Sequence, residues 1–207
     1  MGKISRKRPR RGGVTQLNSN AKLEDRLTHA SLLLGYLFDE GVDFQRRTIN
    51  LVGDVDEDMF RLLDSAMSEM EADSRASITI KINSPGGLVY QAMAIVGRIQ
   101  ESKCQIVTKG YGTVMSAATL ILASGDKRSM SKHSWFMHHE SAYGVEGRHS
   151  EMKAIVAQTE REEEQWAGWM AEFSKRPKEY WLKEGVGIDA YFTADELLEA
   201  GVVDELF

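Results

Sequence analysis

Cysteine is almost missing from this chain: Cys104 stands alone among 207 residues. That excludes an internal disulfide and any metal site built on several cysteines. A lone thiol suits a reducing compartment, so a cytoplasmic protein is expected. Long apolar runs are missing too. The longest in the first part, Ala30 to Phe38, is too short to span a bilayer. It lies well inside the chain, Asp39 and Glu40 follow it, and no small-residue cleavage site is near, so no signal peptide is read. No segment repeats at a fixed period. No phosphate loop is present either: Asn83-Ser84-Pro85-Gly86-Gly87 lacks the Lys-Ser/Thr ending of a Walker loop and the spacing of a dinucleotide fingerprint. No cofactor and no metal are expected.

Acid is absent from residues 1–12, which carry six basic side chains: Lys3, Arg6, Lys7, Arg8, Arg10 and Arg11. The whole chain has 26 basic and 31 acidic residues and a net charge of -5. Without those six the balance is 20 against 31, so the body carries about -11. An acidic body argues against nucleic-acid binding. Residues 1–20 read as a basic, solvated, disordered tail.

What is present alternates between strand and helix. Leu23, Leu27, Ala30, Leu33, Leu34 and Leu37 give an amphipathic helix over 22–38. Thr48 to Val52 is a β-branched strand ending at Gly53, after which Asp54 or Asp56 can cap a helix with Met59, Leu62, Leu63, Ala66, Met67 and Met70 on one face. Ser77 to Ile82 and Gln105 to Thr108 read as strands flanking a helix over 93–99. A glycine-marked turn, 110–112, then leads to a small apolar helix beginning at Ser116. Trp135 to His138 is a strand, 149–175 a long charged helix, and Thr193-Ala194-Asp195-Glu196 a capping box. Strands joined by helices imply an α/β fold of crossover units.

Ser116 reads in two ways on the residues alone: a helix cap, or a nucleophile. A serine nucleophile needs a base, a group that orients the base, and N–H donors for the oxyanion. His138 or His139 at a strand end, Asp189 in a loop, the Ala117 N–H, and the Gly86-Gly87 pair are candidates for those parts.

Five segments in order resemble the proteolytic subunit of the Clp protease, the ClpP family of the ClpP/crotonase superfamily. They are Ile82-Asn83-Ser84-Pro85-Gly86-Gly87, Gly112-Thr113-Val114-Met115-Ser116, Met137-His138-His139, Asp189-Ala190-Tyr191-Phe192-Thr193-Ala194-Asp195-Glu196 and Gly201-Val202-Val203-Asp204-Glu205. The likeness covers residues 45–207. It implies a repeated β-β-α superhelix with a protruding handle helix, here 149–175. It implies Ser116 as nucleophile, His139 as base and Asp189 as its orienting acid. Gly86 and Ala117 would form the oxyanion hole, and Gly87, Leu88 and Ala142 the groove for an extended peptide. It further implies heptameric rings stacked as a tetradecamer, fed polypeptide by an AAA+ unfoldase, with no membrane attachment.

Residues 21–44 form a helical segment unlike the family's gating hairpin, and Ala117-Ala118 stands where family members often carry Met-Gly. Both departures fit a divergent member of phage or mobile-element origin, for which capsid maturation is an alternative task. A non-catalytic ring subunit and a crotonase-like acyl-CoA enzyme are the remaining alternatives; the latter works without a Ser-His-Asp set.

Overall fold

The computed structural model describes residues 13–142 and 144–207. The chain divides into two compact units, Met1–Glu40 and Gly41–Phe207. The first contains helix α1 (Gly13–Asp39), which begins inside the stretch read as tail; residues 1–12 of that expected tail lie outside the described residues. Among the described residues no helix is long and apolar enough to cross a membrane.

The second unit is a mixed α/β layer around one eight-stranded sheet, as the alternation of elements implied. Strands β1 (Val42–Asp43), β2 (Thr48–Val55), β3 (Ile78–Gly87), β4 (Ile106–Met115), β5 (Lys127–Met130) and β8 (Glu205–Leu206) run side by side in that order. From β2 onward the pairing along this path is parallel. Parallel pairing demands crossover connections. Helices α2 (Glu57–Asp73), α3 (Val89–Gln100) and α4 (Ala118–Ala123) supply them. Helix α2 starts where Asp56 accepts the Met59 N–H at 2.9 Å. Its buried face is Met59, Leu63, Ala66, Met67 and Met70; that of α3 includes Ala92, Ile95, Val96 and Ile99, a spacing of three and four.

Strand β4 changes partner halfway along. Val107 to Gly110 pair with β5, whereas Thr113 to Met115 pair with β6 (Trp135–His138). The register between β3 and β4 jumps at the same place, from Ile82 opposite Gly110 to Ser84 opposite Val114. The glycines at 110–112 therefore lie within a bent strand, not in the turn that the glycine spacing suggested. Gly53 likewise sits inside β2, at a register shift between Val52 and Asp54. A strand absorbs an extra residue as a bulge without ending, and glycine marks both events alike.

Strand β7 (Ala190–Thr193) pairs antiparallel with β6. Phe136 on β6 is fully buried, meets Phe192 on β7 edge-to-face at 5.9 Å between ring centres, and holds these two strands on the core. Trp181 of α6 (Lys178–Lys183) also packs on Phe192. Helix α5 (His149–Glu172) buries only Ala167 and Met170 completely, both near its C-terminal end. Helix α7 (Ala194–Ala200) opens on the expected capping box, with Thr193 and Glu196 bonding each other's backbone N–H, and closes on Gly201 in the left-handed conformation.

Phe136→Ala should lower the unfolding free energy by about 3–5 kcal/mol, the usual cost of removing a buried ring. Urea denaturation measures it; a loss below about 1 kcal/mol would mean that β6 and β7 are held by something else.

Candidate active site

Register brings the candidate residues together. Met115 lies beside Met137 in the parallel β4–β6 pair, so Ser116 and His139 leave the sheet at the same end. His138 lies opposite Ala190 in the antiparallel β6–β7 pair, so the next residues, His139 and Asp189, face one another. The distances follow: Ser116 Oγ to His139 Nε2 is 2.7 Å, and His139 Nδ1 to Asp189 Oδ1 is 3.3 Å. The imidazole is one-quarter exposed and the carboxylate about half exposed. Consecutive strand residues alternate faces, which separates the two histidines. His138 is buried, bonds the Trp181 carbonyl through Nε2 at 3.0 Å and meets the indole edge-on.

Ser116 occupies a left-handed conformation, φ 50°, that a side chain adopts at a cost of roughly 1–3 kcal/mol. Neighbours hold it there. Its N–H donates to the Met137 carbonyl at 2.8 Å. Its carbonyl accepts the Thr119 N–H at 3.0 Å and the Thr119 hydroxyl at 2.6 Å. The hydroxyl does not cap α4, whose N-cap residue is Ala117 and which has no side-chain cap bond. Of the two readings of Ser116, the geometry leaves its Oγ bonded to an imidazole.

The glycine motif braces this turn. Asn83 Oδ1 accepts the Thr113 N–H at 3.1 Å, fastening the bulge that precedes Ser116. A Cβ on Gly112, φ 54°, would strike that oxygen at 2.6 Å. A Cβ on Gly86 would sit 2.6 Å from Ser116 Cβ and 2.8 Å from the Met115 carbonyl. Only glycine permits so close a backbone approach. The Gly86 N–H already donates to Ser84 Oγ at 3.1 Å. Gly87, with Ala117, lines a cavity beside Ser116 and His139; Gly86 does not.

That cavity has a volume of about 310 Å³. Ala142 lines it, whereas Leu88 is exposed outside it and donates its N–H to the Val55 carbonyl at 2.7 Å. Its remaining wall holds residues that sequence reasoning missed: Trp166 and Trp181, and the carboxylates Glu140, Glu162, Glu163 and Glu184. Glu140 also ties the loop before Asp189 to the strand end. Its Oε1 accepts the Gly187 N–H at 3.0 Å, and its N–H donates to the Gly185 carbonyl at 3.3 Å. Among the described residues no three His, Cys, Asp or Glu side chains gather into a metal-holding group.

A hydroxyl bonded to an imidazole, itself bonded to a carboxylate, is an arrangement able to activate serine for acyl transfer. Comparison with known proteins supplies the family. Residues 41–207 match the model of the Clp protease family, and the chain belongs to it. The ATP-dependent Clp protease proteolytic subunit 3 of Rhodococcus jostii (strain RHA1) is 32% identical over 169 residues, which is 79% of this chain and 82% of that protein. Subunit 2 of Corynebacterium efficiens is 30% identical, over 78% of this chain and 82% of that protein; subunit 1 of Corynebacterium jeikeium is 30% identical, over 78% and 87%.

Burial pushes the His138 imidazole below its ordinary pKa, opposed by the Trp181 carbonyl. The folded protein then binds fewer protons there than the unfolded chain. Stability present above about pH 6.5 is lost as pH falls. From about pH 7.5 to about 5.5 the urea midpoint should drop more steeply in the wild type than in His138→Gln. Parallel profiles would clear His138 of any part in acid sensitivity.

Proposed function

We propose that this chain is a serine endopeptidase that cleaves unfolded polypeptides and short peptides through an acyl-enzyme, with Ser116 as nucleophile, His139 as base and Asp189 as orienting acid. The observation that carries this is the 2.7 Å bond from Ser116 Oγ to His139 Nε2, continued to Asp189, at the edge of a cavity. His139 Nε2 takes the hydroxyl proton as Oγ attacks the peptide carbonyl. The imidazolium is steadied by Asp189 at Nδ1 and returns the proton to the leaving amine. Water, activated by the same nitrogen, then releases the acyl group. No cofactor enters this chemistry.

The developing oxyanion needs two N–H donors. Ala117 remains one. Gly87 replaces Gly86 as the other, because the Gly86 N–H is engaged by Ser84 and only Gly87 of the pair lines the cavity. The family and the names of the relatives support the wider setting. In that setting the chain forms a homo-oligomer of heptameric rings stacked as a tetradecamer in the cytoplasm and receives polypeptide from an ATP-driven unfoldase. Helix α5, with few of its residues buried, supports a role as the contact between rings.

Ser116→Ala should abolish both peptide hydrolysis and labelling by a fluorophosphonate; label retained on that variant would exclude Ser116 as nucleophile. Asp189→Asn should lower kcat by up to about 10⁴-fold, the loss seen when an orienting carboxylate is neutralised. An unchanged kcat would remove Asp189 from the mechanism.

A further inference from the structure

The cavity beside Ser116 and His139 has an apolar wall and a charged one. Trp166, Leu182 and Val186 contribute apolar surface, backed by the fully buried Trp181. Glu140, Glu162, Glu163 and Glu184 contribute carboxylates, and among the described residues no lysine or arginine lines it. Glu162, Glu163 and Glu184 are half-buried. Among the described residues none of the four carboxylates belongs to an ion pair.

Their bonds leave capacity unused. Glu162 Oε1 accepts from the Tyr90 hydroxyl and from Gln158 Nε2. Glu163 Oε1 accepts the Ser141 N–H at 3.2 Å, and Glu140 Oε1 the Gly187 N–H. In each case the donors are neutral, and Oε2 has no hydrogen-bond partner among the described residues. The adjacent Glu164 differs: it pairs with Lys178 and stays outside the cavity. A cation entering the cavity would find carboxylate oxygens with no competing counter-charge, and charge-assisted hydrogen bonds are the stronger kind.

We infer that this cavity is the specificity pocket of the proposed peptidase and takes a basic side chain, lysine or arginine, from the residue whose carbonyl Ser116 attacks. The aliphatic stem lies along Trp166 and Leu182, where long basic side chains bury their methylenes. The cationic head reaches the unused oxygens of Glu162 and Glu163. An acidic side chain meets like charge, and an apolar one leaves the carboxylates uncompensated.

This inference rests on the serine-peptidase reading, and the experiment keeps the two apart. Four fluorogenic peptides, alike except for Lys, Arg, Leu or Glu before the cleaved bond, are hydrolysed by the full-length protein, which is also treated with a fluorophosphonate. The Lys and Arg peptides should exceed the Leu peptide by about tenfold or more in kcat/KM, the scale of one well-desolvated charge pair, with the Glu peptide slowest. The preference should shrink as salt is raised. Glu162→Gln combined with Glu163→Gln should cut the Lys-to-Leu ratio by about tenfold, chiefly through KM for the Lys peptide. A ratio is compared because general unfolding lowers both rates together. A labelled wild-type protein that prefers the Leu peptide overturns the basic pocket and leaves the serine reading standing. A Lys-to-Leu ratio unchanged in the double variant also overturns it. No label and no hydrolysis of any peptide overturns both.

Discussion

The site depends on one constraint, the shared register of β4, β6 and β7. Because Met115 sits beside Met137 and His138 beside Ala190, residues 116, 139 and 189 emerge at neighbouring points of one sheet end. A slip of one residue in either pairing would exchange His139 for His138. His138 already serves the core, against Trp181, where burial disfavours its charged form. Two adjacent histidines thus meet different partners because a strand alternates its faces.

Register alone does not aim a hydroxyl. The bend in β4 and the left-handed backbone of Ser116 do that, and both need support. Asn83 fastens the bulge, Gly86 lets β3 approach the Ser116 backbone, and Thr119 bonds the Ser116 carbonyl twice. The glycine motif at the end of β3 is therefore a brace for the serine turn. Strain held this way concentrates where chemistry occurs.

Much of this was legible from residue order. The crossover architecture followed from alternating periods. Spacing alone left Ser116 and the two histidines ambiguous, and it was the likeness to the family's motifs that picked out Ser116, His139 and Asp189, the residues that meet. The bent strand was not legible, because a glycine inside a bulge has the same local signature as a glycine ending a strand. Nor was the difference between Gly86 and Gly87, which turns on which N–H the Ser84 hydroxyl has already taken. The acidic cavity wall was hidden for another reason. Glu162 and Glu163 belong to a charged run on a long helix, and such a run reads as a solvated face until the strand end that approaches it is known.

The most direct test is a crystal structure of the protein after reaction with a fluorophosphonate. The phosphorus should be bonded to Ser116 Oγ, with one phosphoryl oxygen accepting the Gly87 and Ala117 N–H groups. Phosphorus on another side chain, or that oxygen turned to solvent with neither N–H near it, would contradict the site described.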